Sequence, residues 1–405
     1  EADVIFINTC SIRENAETRV RNRLKQFRAI KRENKDLVIG VLGCMAERLK
    51  KSLLEEEQLV DLVAGPDAYR DLPNLVEEVG SGQRAVNVLL SREETYADIS
   101  PVRMDTGGVS AFVTIMRGCD NMCSFCVVPY TRGAEFSRSF NSIINEAKKL
   151  SDNGVREIVL LGQNVSAYKF IDGNKTYKLA NLIDEISKIN SIYRIRFTTS
   201  HPNDMDQELI EAFKYQKKLM PQLHLPIQSG SNKILKLMNR KHTREYYLDL
   251  IARFKEVNSE IEFSSDFIIG FPGEEEQDFQ DTLDIINKVN FINSYSFIYS
   301  QRPGTPAVDR DQVLLDICKD RLMKLQTLLG DIQINNSKKL IGKKIEVLVE
   351  NKTKTVDQFF GRSKFMHSIF FNSKNSNPGD LVDIEITSYN SKNLFGILQK
   401  EEVLV

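Results

Sequence analysis

The chain has 405 residues, of which 27% are charged and 41% hydrophobic, and its formal net charge at pH 7 is −1. These values are ordinary for a globular protein of two or three domains, and they exclude binding to nucleic acid by bulk positive charge. No long apolar run predicts a membrane span, so no membrane partner is expected. Six cysteines in a chain of this size do not indicate a secreted disulfide framework, and we expect a reducing, cytoplasmic location.

The first segment, residues 1–98, alternates strand-like and helical stretches, which is typical of a small α/β, Rossmann-like domain. Two buried parallel strands and an amphipathic helix are predicted at Val4–Ile7, Leu37–Leu42 and Glu14–Glu33. Cys10 follows the first strand and Cys44 follows the second. Because ligands of open α/β sheets gather beyond the carboxyl ends of strands, the two cysteines are placed to share a site. Taken singly, each is also typical of a small buried side chain.

The second segment, residues 104–335, holds six strand–helix units, which favours an incomplete (β/α)6 barrel over the closed eight-stranded form. The strands are predicted at Ala111–Arg117, Ile158–Leu161, Ile195–Thr198, Leu223–Pro226, Glu262–Ile269 and Ser294–Tyr299. Polar or glycine-rich residues follow every strand, and barrel enzymes build their active sites from these loops. Six such loops at one rim predict a site there, although any single loop is also typical of a simple turn.

Three cysteines stand in the loop after the first of these strands, in Arg-Gly-Cys119-Asp-Asn-Met-Cys123-Ser-Phe-Cys126. The spacing C-x3-C-x2-C supplies thiolates for three irons of a cubic cluster and leaves the fourth iron open to a small molecule. Zinc is the alternative, but structural zinc usually takes four ligands in C-x2-C pairs, and the next histidine is His201. The motif therefore predicts an iron–sulfur cluster.

After a helix predicted at Leu315–Ser337, the third segment, residues 336–402, changes to short strands separated by turns. Five strands are predicted at Lys344–Glu350, Gln358–Gly361, Phe365–Phe371, Leu381–Thr387 and Leu394–Leu398. Their length and rhythm fit a five-stranded β-barrel of the oligonucleotide-binding kind. From residue 336 onward there are 11 Lys/Arg against 8 Asp/Glu, an excess that suits RNA contact and equally suits an ordinary solvated domain. The candidate RNA contacts here are Lys343, Lys344 and Arg362.

The cysteine spacing, with Phe125 before the last cysteine, resembles the radical S-adenosylmethionine superfamily. The resemblance implies that Cys119, Cys123 and Cys126 hold a 4Fe-4S cluster whose open iron binds S-adenosylmethionine. The reduced cluster then cleaves this cofactor to a 5′-deoxyadenosyl radical. Further contacts to S-adenosylmethionine are implied for Phe125, Gly162, Gln163, Gln228, Ile268, Gly270 and Glu274. For each of these a packing or loop role is the alternative.

The order of the three segments resembles that of the methylthiotransferases, which are radical enzymes that insert sulfur and a methyl group into a C–H bond. The last segment is similar to the small RNA-binding (TRAM-like) domain of that family. The motifs that carry the resemblance are Asn8-Thr9-Cys10-Ser11-Ile12-Arg13-Glu14, Gly43-Cys44-Met45-Ala46-Glu47 and Leu225-Pro226-Ile227-Gln228-Ser229-Gly230-Ser231. That family binds a second 4Fe-4S cluster with three cysteines of the N-terminal domain, and Cys10 and Cys44 match two of them. The third is expected upstream of Glu1, because the chain opens at a strand without an initiator Met. Cys318, on a predicted helix far along the chain, is expected to be a packed thiol.

Cys126-Val127-Val128-Pro129-Tyr130-Thr131-Arg132-Gly133 followed by Ser137-Arg138 resembles the bacterial tRNA branch of the family. The implied reaction methylthiolates C2 of N6-isopentenyladenosine next to the anticodon, with S-adenosylmethionine as methyl donor and radical source. The alternatives are sister branches that modify threonylcarbamoyl-adenosine in tRNA or a ribosomal-protein aspartate, and, in another class, a non-catalytic RNA-binding protein. A flavodoxin-like electron donor is an expected partner, and the sequence leaves the sulfur donor open. Arg132 and Arg138 are candidates for contacts with phosphate or the second cluster, or for surface ion pairs.

Overall fold

The computed structural model describes residues 2–11, 14–91 and 108–399. These residues form two compact units. The first unit holds the described residues up to 91 together with Arg117–Phe136 and Ser300–Asp309, and the second holds residues 108–116, Ser137–Tyr299 and 310–399. The predicted domain boundaries near residues 98 and 104, and the predicted end at residue 402, lie outside the described residues.

The first unit is built on a parallel sheet of four strands in the order β1-β2-β3-β4. The strands are β1 Val4–Thr9, β2 Val38–Gly43, β3 Leu62–Ala64 and β4 Ala85–Asn87, and the helices are α1 Glu14–Glu33, α2 Cys44–Leu49, α3 Ser52–Glu56 and α4 Leu72–Gly80. All six residues of β2 are buried, as expected for a central strand of a parallel sheet covered on both faces.

The next elements run from residue 110 to residue 338. They are β5 Ser110–Thr114, β6 Met116–Arg117, α5 Val128–Arg132, β7 Phe136–Ser137, α6 Phe140–Asp152, β8 Glu157–Leu161, β9 Lys169–Asp172, β10 Lys175–Lys178, α7 Leu179–Ser187, β11 Arg194–Phe197, α8 Gln207–Tyr215, β12 Gln222–His224, α9 Asn232–Leu237, α10 Arg244–Val257, β13 Glu262–Ile269, α11 Glu276–Val289, β14 Asn293–Ile298 and α12 Leu315–Lys338. Short 3-10 turns lie at Tyr69–Asp71, Val165–Ala167 and Pro202–Asp204.

Six parallel strands of the second unit form two three-stranded sheets, β5-β8-β11 and β12-β13-β14. A single bridge between Ile195 and Leu219 continues the order from the first sheet towards the second. Between β5 and β14 the described residues form no ladder, so the arrangement is open. One apolar core, which includes Ile195, Leu223 and Phe263, runs through both sheets. The prediction of an incomplete (β/α)6 barrel is confirmed.

The C-terminal strands close into a five-stranded barrel in the order β15-β16-β17-β19-β18. They are β15 Lys344–Lys352, β16 Gln358–Ser363, β17 Ser368–Asn372, β18 Leu381–Tyr389 and β19 Asn393–Leu398. The predicted all-β barrel is confirmed, but β17 begins at Ser368 rather than at Phe365. The cause is a turn: Ser363 Oγ accepts the backbone N–H groups of Phe365 and His367, each at 3.2 Å, and Met366 has φ 68°.

A buried arginine of β11 joins the (β/α)6 barrel to the C-terminal barrel. Arg196 donates from Nε to Glu157 Oε2 at 2.7 Å, and from Nη2 and Nη1 to the backbone carbonyls of Ser363 and Lys364, both at 2.9 Å. Arg196 and Glu157 are 4% and 2% exposed, so the ion pair is desolvated and completed by backbone acceptors.

A second buried arginine, Arg194, reinforces this junction by donating to Arg362 O at 2.6 Å and to Glu346 Oε1 at 2.9 Å. Arg194 begins β11, and Lys364 pairs at 2.8 Å with Glu260, which lies just before β13. The C-terminal barrel therefore packs at the amino-terminal ends of the parallel strands, away from the loops that follow them.

Replacing Arg196 by Leu is expected to lower the free energy of unfolding by about 3–5 kcal/mol, because the Glu157 carboxylate then stays buried without its partner. Urea unfolding followed by circular dichroism measures the loss. The double variant Arg196→Leu/Glu157→Leu should recover most of it, and equal losses in the single and double variants would show that the pair is not the source of the effect.

Candidate functional site

The loop that carries three of the cysteines is closed at its base by backbone contacts. The loop follows β6 and lies in the first unit. The Cys119 N–H donates to Gly133 O at 3.2 Å. Gly118 has φ 72°, and a Cβ there would lie 1.9 Å from Ala134 O, so only glycine fits this position. The loop is therefore anchored on both sides before any metal binds.

Cys126 Sγ accepts the Val128 backbone N–H at 3.4 Å, and Cys119 Sγ accepts from Asn121 Nδ2 at 3.7 Å. Burial raises the pKa of the Cys119 thiol, so metal binding must displace its proton. Within the described residues no three His, Cys, Asp or Glu side chains converge on one ion. The cysteines of a cubic cluster each bind a different iron, so this loop of soft thiolates fits such a cluster.

Cys10 and Cys44 lie at one edge of the four-stranded sheet. Thr9 pairs with Gly43 where β1 and β2 end, so the two cysteines are the next residues on neighbouring strands, which are about 5 Å apart. Thr9 Oγ1 accepts the Met45 N–H at 3.2 Å and so ties the end of β1 to the start of α2. Cys10 is exposed and Cys44 is half-buried. Among the described residues these two are the cysteines at this edge, and their role as cluster ligands stays a prediction.

Arg132 connects the two groups of cysteines within the first unit. It ends α5, six residues after Cys126, and its Nε–H donates to Cys44 Sγ at 3.1 Å. Burial works to lower the pKa of Arg132, but Cys44 beside it raises that pKa, and the net direction is upward. Before the loop, Arg117 forms an ion pair with Asp67. Two arginines thus hold the cysteine loop to the part of the unit that carries the sheet.

The residue after Cys10 belongs to a buried polar network. Ser11 Oγ donates to Glu17 Oε1 at 2.7 Å and accepts from Arg48 Nε at 2.7 Å, and Arg48 Nη2 donates to Glu17 Oε2 at 2.6 Å. Arg302 Nη1, in the loop after β14, lies 3.9 Å from Glu17 Oε1. The carboxylate of Glu17 therefore holds the side chain of Ser11, the residue next to Cys10. Sequence reasoning gave Glu17 and Arg48 no role, because their partners are distant along the chain.

A buried carboxyl group lies three residues after Cys44. Glu47 is 1% exposed, and neither of its carboxyl oxygens has a hydrogen-bond partner among the described residues. A Cβ on Gly65 would lie 2.0 Å from Glu47 Oε2, so the absence of a side chain at Gly65 leaves room for the Glu47 carboxyl group. Burial raises the pKa of Glu47 to about 7, with Lys50 lowering it and Asp67 raising it further. Sequence reasoning saw Glu47 only as part of a motif.

In the second unit, predicted cofactor residues lie where β8, β12 and β13 end. Gly162 follows β8, and a Cβ there would lie 2.5 Å from Met116 Cγ. Gln228 is buried at φ 76°; its N–H donates to Asp266 O, and its carbonyl accepts from the Ile268 N–H, both at 3.0 Å. The side chains of Gln163 and, in the first unit, Phe125 are half-buried. Their contacts with S-adenosylmethionine stay predictions.

The loop after β13 is tied to α12 through Glu274. Glu274 Oε1 accepts from the Gly270 N–H at 3.0 Å and from Arg321 Nη1 at 2.9 Å. Burial raises the pKa of Glu274, against the lowering effects of Gly270 and Arg321. Gly270 has φ 69°, and a Cβ there would lie 2.1 Å from Cys318 Sγ. Cys318 is a packed thiol on α12, and Glu274 is already engaged inside the unit, so its predicted contact with the cofactor stays a prediction.

Arg138 lies inside the second unit. Its Nη1 donates to Thr114 O at 2.8 Å and to Glu146 Oε2 at 2.7 Å, its Nε donates to Ser142 Oγ at 3.2 Å, and its backbone carbonyl accepts from Tyr168 at 2.9 Å. The guanidinium thus links β5 to α6. The predicted contact between Arg138 and RNA stays a prediction, and these bonds show what the side chain does in the protein alone.

The other predicted RNA contacts lie on the C-terminal barrel. Arg362 pairs with Glu350 at 3.2 Å, and Lys344 pairs with Asp383 at 3.0 Å. Lys343 is exposed and precedes Lys344 in sequence. The Lys344–Asp383 pair is exposed and therefore weak, whereas the Arg362–Glu350 pair is half-buried. The contacts of these three residues with RNA stay predictions.

Three family models match successive parts of the chain. The Uncharacterized protein family UPF0004 matches residues 1–65, the Radical SAM superfamily matches residues 113–286, and the TRAM domain matches residues 338–398. The second match covers the cysteine loop and confirms the class predicted from its spacing, with S-adenosylmethionine and an iron–sulfur cluster as cofactors.

Curated relatives align with nearly the whole chain. The tRNA-2-methylthio-N(6)-dimethylallyladenosine synthase of Chloroherpeton thalassium is 49% identical over 98% of this chain and 87% of its own length. The enzyme of the same name from Amoebophilus asiaticus is 48% identical over 98% of this chain and 85% of its own length. The chain belongs to the tRNA-2-methylthio-N(6)-dimethylallyladenosine synthase family, and the predicted family is confirmed.

Solved structures support the fold. The radical S-adenosylmethionine methyltransferase TsrM from Kitasatospora setae aligns with a TM-score of 0.57 at 14% identity, over 76% of this chain and 64% of its own. The cobalamin-dependent S-adenosylmethionine radical enzyme OxsB aligns with a TM-score of 0.53 at 13% identity, over 81% of this chain and 48% of its own. At such identities the likeness shows the fold alone.

Glu47 is expected to make the apo protein less stable as pH rises from 4.5 to about 7, because the folded state keeps a proton that the unfolded chain loses. The penalty at higher pH is about 3 kcal/mol at most. Urea unfolding across this range compares the protein with Glu47→Gln, whose amide does not titrate. The stability difference between the two should grow with pH, and parallel curves would contradict the assignment.

Proposed function

We propose that the protein is a radical S-adenosylmethionine methylthiotransferase. It adds a methylthio group to C2 of N6-isopentenyladenosine next to the anticodon of tRNA. The observation that carries the proposal is the bond from Arg132 to Cys44, which brings the cysteine loop to the edge that bears Cys10 and Cys44. Two groups of thiolates in one compact unit suit a reaction that needs both a radical and a sulfur source. The shared name of the relatives supports the substrate.

Each group of cysteines has a separate role. Cys119, Cys123 and Cys126 hold one 4Fe-4S cluster, and Cys10 and Cys44 are ligands of a second. When bound, the clusters and S-adenosylmethionine supply the radical that removes hydrogen from C2 and the methylthio group that replaces it. The contacts proposed for S-adenosylmethionine come from Phe125, Gly162, Gln163, Gln228, Ile268, Gly270 and Glu274.

The protein's own groups position the loops and bind RNA. Arg117 and Arg132 hold the cysteine loop, while Glu17 holds the side chain of Ser11, next to Cys10. On the C-terminal barrel, Lys343, Lys344 and Arg362 bind RNA phosphate, for which the planar fork of arginine is well suited.

The partners follow from the chemistry. A radical enzyme of this class needs an electron donor, and we assign that role to a flavodoxin-like protein; the sulfur donor is not assigned. Thiolate ligands favour a reducing compartment, so the proposed location is the cytoplasm. In the part of the chain that the structure describes, no helix has the length and apolar character needed to span a membrane.

The test is an anaerobic reaction of full-length, cluster-reconstituted protein with S-adenosylmethionine, a reductant and tRNA that carries isopentenyladenosine. We expect mass spectrometry of the digested nucleosides to show a methylthio adduct on that adenosine. The Cys123→Ala variant should form neither the adduct nor 5′-deoxyadenosine, because it lacks a ligand of the radical cluster. Cys318→Ala is the matched control and should keep both products.

The other outcomes separate the alternatives. Release of 5′-deoxyadenosine without the adduct would keep the radical enzyme and overturn the substrate, and tRNA with threonylcarbamoyl-adenosine and the ribosomal-protein aspartate are then tested. A protein that holds no iron or sulfide yet binds tRNA would be the non-catalytic RNA-binding protein.

A further inference from the structure

The contact between Arg132 and Cys44 joins residues that are 88 positions apart in sequence. Arg132 is the last residue of α5 and Cys44 the first residue of α2, so both side chains start from ordered backbone. The Nε–H points at Sγ from 3.1 Å, which is short for a hydrogen bond to sulfur. The geometry is that of a hydrogen bond from a cationic guanidinium to a cysteine sulfur.

The surroundings keep the guanidinium at this place. Asp67 and Tyr69 are close enough to Arg132 to act on its charge, as Cys44 does. Asp67 is itself fixed by its ion pair with Arg117. Within the described part of the chain the two Nη groups of Arg132 have no hydrogen-bond partner. Among the residues that the structure describes, Cys44 is therefore the hydrogen-bond partner that orients the guanidinium.

We propose that Arg132 is a positioning residue for the second cluster: it holds the Cys44 sulfur in place as a ligand and raises the reduction potential of the cluster bound there. The proposal rests on the proposed function, because it takes Cys10 and Cys44 to be cluster ligands. The donor set fits this role, since thiolate is the ligand that iron–sulfur clusters use.

The physical reason lies in the charge of the cluster. Reduction adds an electron, and a nearby cation stabilises the more negative, reduced state. A hydrogen bond to the ligand sulfur acts in the same direction, because it withdraws electron density from the iron. Arg132 supplies both effects at one atom, and its position is set by the segment that also carries Cys119, Cys123 and Cys126. One residue therefore links the geometry of the radical site to the electronic state of the sulfur site.

The experiment isolates the second cluster by spectroscopy. In full-length protein, Cys119, Cys123 and Cys126 are all changed to Ala, so that the cluster at Cys10 and Cys44 gives the signal. Arg132→Met and Arg132→Gln are then added to this background. Iron and sulfide per chain are counted, and the midpoint of reduction is followed by electron paramagnetic resonance. We expect a more negative midpoint in both variants.

The control removes a different cation of the same unit. Arg21 bonds to Glu56 and Glu57, each at 2.6 Å, and to no cysteine, so Arg21→Met should leave the midpoint unchanged. Loss of iron in both Arg132 variants, with iron retained in Arg21→Met, also supports the proposal, because it shows that Arg132 holds the ligand.

Two results would contradict the proposed role of Arg132, and they differ in what they leave standing. Full iron with an unchanged midpoint in both Arg132 variants overturns the role of Arg132 and leaves the proposed function standing. No iron or sulfide in the background protein that still contains Arg132 contradicts the second cluster itself, and with it the proposed function.

Discussion

The cysteine-bearing unit is organised around one hydrogen bond, from the Arg132 guanidinium to the Cys44 sulfur. Together with the Arg117–Asp67 ion pair, this bond holds the loop after β6 to the part of the unit that carries β1 and β2. The bond places a cation beside the sulfur, and a cation in that position favours the ionised form in which thiols bind metal.

Both groups of proposed site residues follow from a single property of parallel sheets, since side chains beyond the carboxyl ends of neighbouring strands meet at one edge. In the first unit this places Cys10 next to Cys44. In the second it places Gly162, Gln228 and Gly270 on loops that follow β8, β12 and β13. Gln228 and Gly270 have left-handed backbone conformations, and Gln228 carries the steric strain of a side chain at positive φ. Strain of this kind persists only where the surroundings impose it, and it is common at ligand sites.

Patterns within short segments of the sequence predicted the features that those segments determine by themselves. The helix Glu14–Glu33 and the strand Glu262–Ile269 have the predicted bounds, because apolar periodicity and end signals are contained in the segments themselves. The cysteine loop was predicted from spacing within eight residues. The sequence named Arg132 and Arg138 as candidates for the second cluster, but it did not distinguish which of them meets Cys44, because that contact joins distant segments. Nor did it show that Arg194 and Arg196 are buried, since most of their acceptors are backbone carbonyls, which any residue provides. The unpartnered carboxyl of Glu47 was equally hidden, because burial without a partner leaves no pattern.

The position of the C-terminal barrel has a consequence for the length of RNA that the protein can recognise. The barrel packs at the amino-terminal ends of strands whose opposite ends carry the cofactor loops, and β8 alone separates the two ends by about 17 Å. The two ends of these strands are therefore separate places at which an RNA could be held. Under the proposed function, an RNA that contacts both the loops and the C-terminal barrel has to extend over at least this distance, which a helical stem does and a single nucleotide does not.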